Sequence, residues 1–386
     1  MNRPIPLQLA DDPVARRIWE RSATAIHGHD PQRGAPSSQP VSHYLNPARL
    51  ADELALLKTL PMPVAPMAQL AQPGDWLSTR VHGVPVLLTR DAQGGLNAFI
   101  NVCRHRGAIV APEEACGHGK TRFVCPYHSW TYDACGASVG RPHEADFPHV
   151  PREAAGLVAL PVAERLGMAW VIATPQAGFD WDGYFGPIGD EVEALGYNGS
   201  AFSPERRQFV QPSNWKLVLE GNLESYHFQY AHQKTVAPIF HDNMVVHEHA
   251  GDHHKIVLPK RSMAETQTDT IDMALVGRHT HIIYYFFPCA FMLWEGDHID
   301  LFTVSPTDVD HCDVHGWMLV PERYRHRAAE HWQKNDFLFW ETLDEDFALA
   351  ASIQSGLRSG ANDAFRFGRN EFACALFNES LARRLP

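Results

Sequence analysis

The chain has 386 residues and a formal net charge of −12, from 33 Lys and Arg against 45 Asp and Glu. An acidic balance of that size argues against a nucleic-acid or anionic-membrane surface, and the length allows two sizeable cores. Seven cysteines, an odd number, fit a reducing compartment better than a disulfide framework.

Residues 1–10 lack the charged-then-apolar run of a signal peptide, so a cytoplasmic protein is expected. Residues 27–47 are rich in His, Pro, Ser and Gly and read as irregular, which makes 1–45 an N-terminal arm. Leu50, Leu54 and Leu57 give 47–60 a helical spacing. From Gly74 the pattern turns to strands at 76–81, 84–89 and 96–102, with turns at His82-Gly83 and 91–95. Residues 157–160 and 168–173 read as closing strands, so 46–175 is expected to form a small antiparallel β domain with a leading helix. The Gly-, Pro- and Asp-rich stretch 175–189 reads as the boundary before a second domain, 176–386. That domain opens with a strand at 208–211 and a helix from about Asn214. Strands follow through 317–320, then a long helix from about Tyr324. The longest apolar stretch, 282–294, is short for a membrane span and contains Pro288, so it reads as buried strand.

Two phrases carry the chemistry of the first domain, Cys103-Arg104-His105 and Cys125-Pro126-Tyr127-His128, with 19 residues between His105 and Cys125. Each supplies one thiolate and one imidazole. A zinc finger usually pairs its cysteines in one knuckle and its histidines in another. Mixed knuckles suit a [2Fe–2S] cluster whose one iron takes two Cys and whose other takes two His. Spacing alone favours iron–sulfur and leaves structural zinc as the alternative. A further Cys-x-His, Cys116-Gly117-His118, lies only six residues from Cys125 among Glu, Gly and Lys and reads as exposed loop; Cys135 reads as a turn residue.

In the second domain, Asn214-Trp215-Lys216 precedes Glu224-Ser225-Tyr226-His227 and His232. Two imidazoles and one carboxylate on one face of an iron leave the opposite face open, the 2-His-1-carboxylate arrangement. His227 and His232 are five residues apart, roughly 140° on an ideal helix. Both reach one metal only if a π-bulge or a helix end intervenes. The other histidine run, 247–254, reads as a loop rather than a site.

The stretches 101–107 and 125–132 resemble the cluster loops of Rieske non-heme iron oxygenase large subunits, and 213–232 resembles their mononuclear iron motif. Ser129 stands where that family commonly has glycine. The resemblance covers the chain from about residue 45 onward. It implies an α+β architecture: a Rieske antiparallel β domain followed by a helix-grip (START-like) catalytic domain with an antiparallel sheet and a long C-terminal helix. It implies Cys103, His105, Cys125 and His128 as [2Fe–2S] ligands, and His227 and His232 as ligands of a mononuclear Fe(II). The family's third ligand precedes a Gln-x-Gly-Leu turn, here Gln354-Ser355-Gly356-Leu357, which implies Asp346, with Asp344 second. Glu224 takes the place of an acidic residue that bridges a cluster histidine of one subunit, here His128, to an iron histidine of its neighbour, here His227. Asn214 is expected either as a polar neighbour of the iron or as a helix N-cap.

The implied activity is that of a terminal oxygenase fed by a ferredoxin or flavin reductase. It would act as a homotrimer on O2 and a small substrate, by hydroxylation, dihydroxylation or demethylation. Pocket walls are expected from 284–287, 291–294, Phe337 and Trp340. An aromatic or aromatic-acid substrate is favoured and a betaine-type amine comes next. A zinc-stabilised helix-grip binding protein is the non-enzyme alternative.

Overall fold

In the computed structural model, residues 12–28, 33–176, 178–197 and 206–386 are described. The chain forms two compact units, one from 52–203 and the other from 1–51 with 204–386.

The 52–203 unit is built from short antiparallel strands. A five-stranded sheet runs in the order Ala159–Leu160, Leu96–Ile100, Val84–Arg90, Trp76–Val81 and Cys116–Gly117. A three-stranded sheet of Val162–Arg165, Met168–Val171 and Met62–Pro66 adjoins it in sequence, and a small meander joins Arg122–Val124, Thr131–Asp133 and Ser138–Gly140. Its core gathers Trp76, Leu87, Phe99, Phe123, Trp130 and Tyr132 around Cys103 and Cys125. The stretch 175–189 is not a bare linker. Asp180 accepts from the Gly183 amide and caps a helix, Trp181–Ala194, kinked at Gly186 before Pro187. The turn residues that suggested a boundary are a cap and a kink.

The second unit is one seven-stranded antiparallel sheet under a long helix. Its strands are β1 (Arg206–Gln211), β2 (Val246–Ala250), β3 (His253–Pro259), β4 (Thr280–Phe286), β5 (Ala290–Trp294), β6 (Ile299–Pro306) and β7 (Cys312–Leu319), in the spatial order β1-β7-β6-β5-β4-β3-β2. The stretch read as a histidine loop is the β2–β3 hairpin, turned at Gly251 with φ +59°. His247 and His254 are buried across it, their ring nitrogens 2.8 Å apart. The expected N-terminal arm is also structured where it is described. Pro13–Gly28 is a helix with Ile18, Trp19 and Ile26 buried, and Ser37–Pro40 pairs with Ala364–Phe367. The remainder of that expectation, 1–11 and 29–32, lies outside the described residues.

Three helices position the site: α1 (Trp215–Gly221), α2 (Phe228–Ala231) and α3 (Ala329–Leu357). Asn214 caps α1 by accepting from the Lys216 amide, and its own amide donates to the Tyr44 and Val309 carbonyls. The Asn214 backbone N–H donates to Gln354 Oε1 at 2.9 Å, which ties α3 to the start of α1. At the other end of α1, Tyr44 and Asn378 both donate to Glu220 Oε1. On the sheet side, a Cβ at Gly316 of β7 would sit 2.3 Å from the ring of Trp340 on α3. Glycine there sets how closely the helix lies on the sheet.

Gly316→Ala is therefore expected to lower stability by about 1–3 kcal/mol through overpacking, read as a lower midpoint of thermal unfolding. Gly356→Ala, whose Cβ meets nothing within 4 Å, is the control and is expected to leave the midpoint unchanged or raise it.

Candidate metal centres

The two cysteine phrases fold into matching turns. The Cys103 N–H donates to the Ala108 carbonyl and the Gly107 N–H to the Cys103 carbonyl. Likewise Cys125 pairs with Trp130 and Ser129 with Cys125. The fourth residue after each cysteine is left-handed, Gly107 at φ +81° and Ser129 at φ +56°. That explains why glycine suits the position and why Ser129 occupies it with strain.

Both cysteines are buried, whereas His105 is half-buried and His128 exposed. The imidazole rings lie 4.6 Å apart between centroids, and His105 stacks on Trp130 at 5.0 Å. Tyr132, wholly buried, has its hydroxyl 3.2 Å from Cys103 Sγ. Burial pushes the Cys103 thiol up, with the Tyr132 hydrogen bond opposing it and Cys125 adding to it. His105 Nδ1 is buried without a hydrogen-bond partner, which a ligand bond satisfies. Among the described residues only His227, His232 and Asp346 bring three such donors within 4.8 Å of one another. The four Cys and His donors therefore do not converge on one point, as a zinc ion requires. They fit a two-iron cluster. Cys116 is exposed and His118 meets Asp75 at 2.7 Å, so that pair stands apart. Cys135 sits in the exposed turn closed from Gly136 to Asp133.

The second centre depends on a broken helix. Gly221 ends α1, and the chain turns before α2 begins, with His227 and His232 flanking that single turn. A helix end thus brings together two residues that a continuous helix would hold apart. His227 Nε2 and His232 Nε2 are 3.1 Å apart. Asp346 Oδ1, from α3, lies 3.4 Å from the first and 3.0 Å from the second. Asp344 is exposed and takes no part.

Each imidazole is fixed from behind by a carboxylate. Glu224 Oε1 contacts His227 Nδ1, while its Oε2 accepts from the Tyr226 and His227 amides. Glu345 Oε2 contacts His232 Nδ1 at 2.7 Å and accepts from Thr235 Oγ1 at 2.7 Å. Such partners set the tautomer and leave Nε2 free for a metal. Burial works against a charged His227, but Asp346 and Glu224 outweigh it and push its pKa up to about 10. Three carboxylates around two imidazoles make a site that demands a cation, and the donor set fits iron(II).

Glu345 and Tyr132 are the functional residues that sequence reasoning passed over. Glu345 stood beside the chosen aspartate as part of an acidic run, and Tyr132 stood inside the quoted cluster motif without a role. Asn214 takes the N-cap role and is not among the residues lining the adjoining cavity. Its side chain is spent on the cap and on the Tyr44 and Val309 carbonyls and its N–H on Gln354, whereas Asn222 is among the polar residues that do line it.

That cavity, about 290 Å³, is bounded by His232 and Asp346 and runs between α3 and the sheet. Asn335, Leu338, Phe339, Thr342 and Leu343 form its helical wall, at the three- and four-residue spacing of one face. Its sheet wall follows strand alternation: Leu258 and Lys260, His281 and Ile283, Leu293 and Glu295, His298 and Asp300. Of the stretches expected as pocket wall, 291–294 contributes Leu293 and 284–287 contributes no lining residue. Tyr284 to Phe287 are core, Phe337 is 64 % exposed, and Trp340 packs on Phe209. Phe228, Phe240 and Phe339 are the phenyl rings lining the cavity.

Fold and site together define a protein of two iron centres, one redox cluster and one mononuclear site. Residues 61–152 match the Rieske [2Fe-2S] domain, and 200–386 match the ring hydroxylating alpha subunit catalytic domain. A chloroplastic choline monooxygenase of Amaranthus tricolor is 30 % identical over 62 % of this chain, a match spanning 57 % of that relative's length. The carnitine monooxygenase oxygenase subunit of Acinetobacter baumannii is 26 % identical over 83 % of this chain and 87 % of its own. The crystal structure of the quaternary ammonium Rieske monooxygenase CntA with L-carnitine superimposes with a TM-score of 0.78 at 19 % identity. It covers 93 % of this chain and 97 % of that one, a likeness of fold. The chain belongs to the Rieske non-heme iron oxygenase alpha subunits.

His227→Ala is expected to leave the cluster absorbance unchanged while iron falls from about three to about two per chain, with acid-labile sulfide held at about two. Glu345→Gln is expected to weaken retention of the mononuclear iron by roughly 10- to 100-fold, measured by competition with a chelator. Unchanged retention would remove Glu345 from the site.

Proposed function

We propose that this chain is the terminal oxygenase of a multicomponent system, acting on a small quaternary ammonium or betaine-type compound. The observation that carries the substrate reading is the cavity wall, which sets Lys260, His281, Glu295, His298 and Asp300 opposite a helix face. These groups pair in part with one another, yet a plain hydrocarbon ring would offer nothing to the charge and polar atoms that remain open on that wall. The resemblance to choline and carnitine monooxygenases supports the same choice. Polar lining therefore ranks the amine above the aromatic ring that composition first favoured.

In this reading Cys103, His105, Cys125 and His128 hold the cluster, and His227, His232 and Asp346 hold the mononuclear iron. When bound, the pair supplies single-electron storage and an oxygen-activating ferrous site. The residues of this chain do the rest. Tyr132 directs its hydroxyl at the Cys103 sulfur, which tunes the cluster's affinity for an electron. His128, exposed at the tip of its loop, is the natural contact for electron exchange. Glu224 and Glu345 hold the Nδ1 side of each imidazole and so turn its Nε2 toward Asp346, and Phe228, Phe240 and Phe339 supply phenyl rings to the cavity wall.

The donor of electrons is a ferredoxin or flavin reductase, and the assembly is a homotrimer in which the cluster of one copy serves the iron of the next. A second, more open groove supports this. It reaches Glu224, His227 and Asp346 from the side opposite the cavity, and Leu349 and Ile353 on its rim are 45 % and 43 % exposed. Such an apolar rim beside a redox site suits a protein partner.

Coexpression of a Cys103→Ala chain with an Asp346→Ala chain tests the assembly. Each variant alone is expected to be inactive and the mixture to recover turnover, because an intact cluster then faces an intact iron. Failure to recover would mean that electrons travel within one chain. Turnover of choline, glycine betaine and L-carnitine with a surrogate reductase under labelled dioxygen tests the substrate class, with one labelled oxygen expected in the product. Oxidation of neutral aromatic compounds alone would overturn it.

A further inference from the structure

The cavity has two ends along α3. Asp346 marks one, and Asn335, eleven residues earlier, lies about 16 Å away along the helix axis. Near Asn335, His331 meets Asp297 at 2.9 Å, and Asp297 holds His298 Nδ1 at 2.6 Å. His298 and Asp300 enter the cavity wall at this end, on β6 and the turn before it. Glu295 lies opposite His298 in the same hairpin, its N–H donating to the His298 carbonyl.

Glu295 is the group that asks for a ligand. It lines the cavity with 28 % of its side-chain surface open, against the 4 % left to Asp300. One oxygen contacts His281 Nδ1, while Oε2 has no nearer cation than Lys260 Nζ at 4.0 Å, beyond hydrogen-bond reach. Burial works against its charge, but His281 and Lys260 more than compensate and hold its pKa down to about 2. An ionised carboxylate thus faces an enclosed space with an oxygen unfilled. Asp300 adds a second, independent sign. It is 97 % buried, it lines the same cavity, and its Oδ1 has no hydrogen-bond partner. Burial holds the Asp300 carboxyl above its usual range, with His298 opposing. Burial also works against a charged His298, but Asp300, Asp297 and Glu295 outweigh it and push its pKa up to about 10. Lys260 and His298 thus set positive charge beside Glu295, and the wall offers both signs.

We propose that Glu295, supported by Asp300, is the anchor for a cationic nitrogen of the substrate and sets the preference for ammonium compounds. This rests on the oxygenase reading above and names the residues that carry its specificity. Lys260, just past the end of β3 and with β4 between it and the Glu295 hairpin, gives a substrate carboxylate its own partner, so a zwitterion finds both charges answered on one wall. Phe228 and Phe240 close the apolar side, on which methyl groups of the nitrogen rest. His232, Phe228, Phe240 and His281 follow one another edge-on, with centroids 5.4, 6.0 and 5.8 Å apart, and so connect the iron ligand to the group that holds Glu295.

Binding to the iron-loaded holoenzyme, measured by titration calorimetry, tests this with charge as the single variable. Choline is compared with 3,3-dimethylbutan-1-ol, and glycine betaine with 3,3-dimethylbutanoate, in which carbon replaces the charged nitrogen. Wild-type protein is expected to prefer the member of each pair that carries the charged nitrogen by at least about tenfold. In Glu295→Gln that preference is expected to collapse toward unity for the choline pair while the neutral 3,3-dimethylbutan-1-ol keeps its affinity, and the betaine pair is expected to follow. Asp300→Asn is expected to reduce it partly. Damage to the fold would weaken both members of a pair alike, so the ratio isolates the charge. Cations oxidised by the wild type with an unchanged ratio in Glu295→Gln overturn this proposal alone. No preference for the cation in the wild type overturns it together with the substrate reading.

Discussion

The register between α3 and the broken helix at 215–231 is the constraint on which the mononuclear centre depends. Asp346 is useful only where its Oδ1 reaches both His227 and His232, and those distances differ by only 0.4 Å. Two turns farther along, Gln354 accepts from the Asn214 N–H and donates to Asp310 Oδ1 at 2.6 Å, which pins α3 lengthwise. Gly316 lets Trp340 lie flat on the sheet, which pins it in height. A one-residue slip would rotate Asp346 about 100° off the cavity face. Asn214 and Gln354 therefore act on the iron through geometry, without touching it.

Charge explains why the centre suits a cation. Glu224, Glu345 and Asp346 all contact the two imidazoles, and a buried excess of carboxylate is costly unless a cation answers it. Protons answer part of that demand: burial opposes a charged imidazole, but the carboxylates outweigh it and hold the pKa of both His227 and His232 above the ordinary histidine value. A divalent ion bound by both Nε2 atoms and Asp346 satisfies the whole set at once. The same bookkeeping marks out Glu295, whose counter-charges stand at a distance and leave room for a ligand.

The two metal phrases were legible because metal ligation imposes residue type and spacing together. Cys103, His105, Cys125, His128, His227 and His232 stand out in the bare sequence, and the five-residue gap correctly called for a helix end. What escaped notice lacks such a local signature. Glu345 looks like one more charge in an acidic helix until Thr235 and His232 are seen to converge on it. The β2–β3 hairpin was hidden because four histidines obscure the alternation, although Gly251-Asp252 marks its turn. The aromatic run 284–287 drew attention by composition, yet period-two alternation sends Ile283 and His281 to the cavity. Composition names candidates, and alternation decides which face they serve. The helix Pro13–Gly28 has an apolar stripe in Ile18, Trp19 and Ile26 that a compositional reading of the arm passed over.

Exposure separates the tasks of the two centres. The cluster loops bury their sulfurs and turn an imidazole outward, so the electron-bearing group can meet a partner while its reactive thiolates stay in the core. In the mononuclear site His232 is wholly buried, His227 and Asp346 are partly open, and three phenyl rings share the cavity wall with charged groups. Electron exchange requires approach from outside, whereas oxygen chemistry on a C–H bond requires that water be kept away. Had His128 been buried or His232 open to bulk solvent, the same ligand sets would have suited neither task. The burial pattern, more than the ligand identities, is therefore what makes this chain read as an oxygenase rather than an electron carrier with a spare metal site.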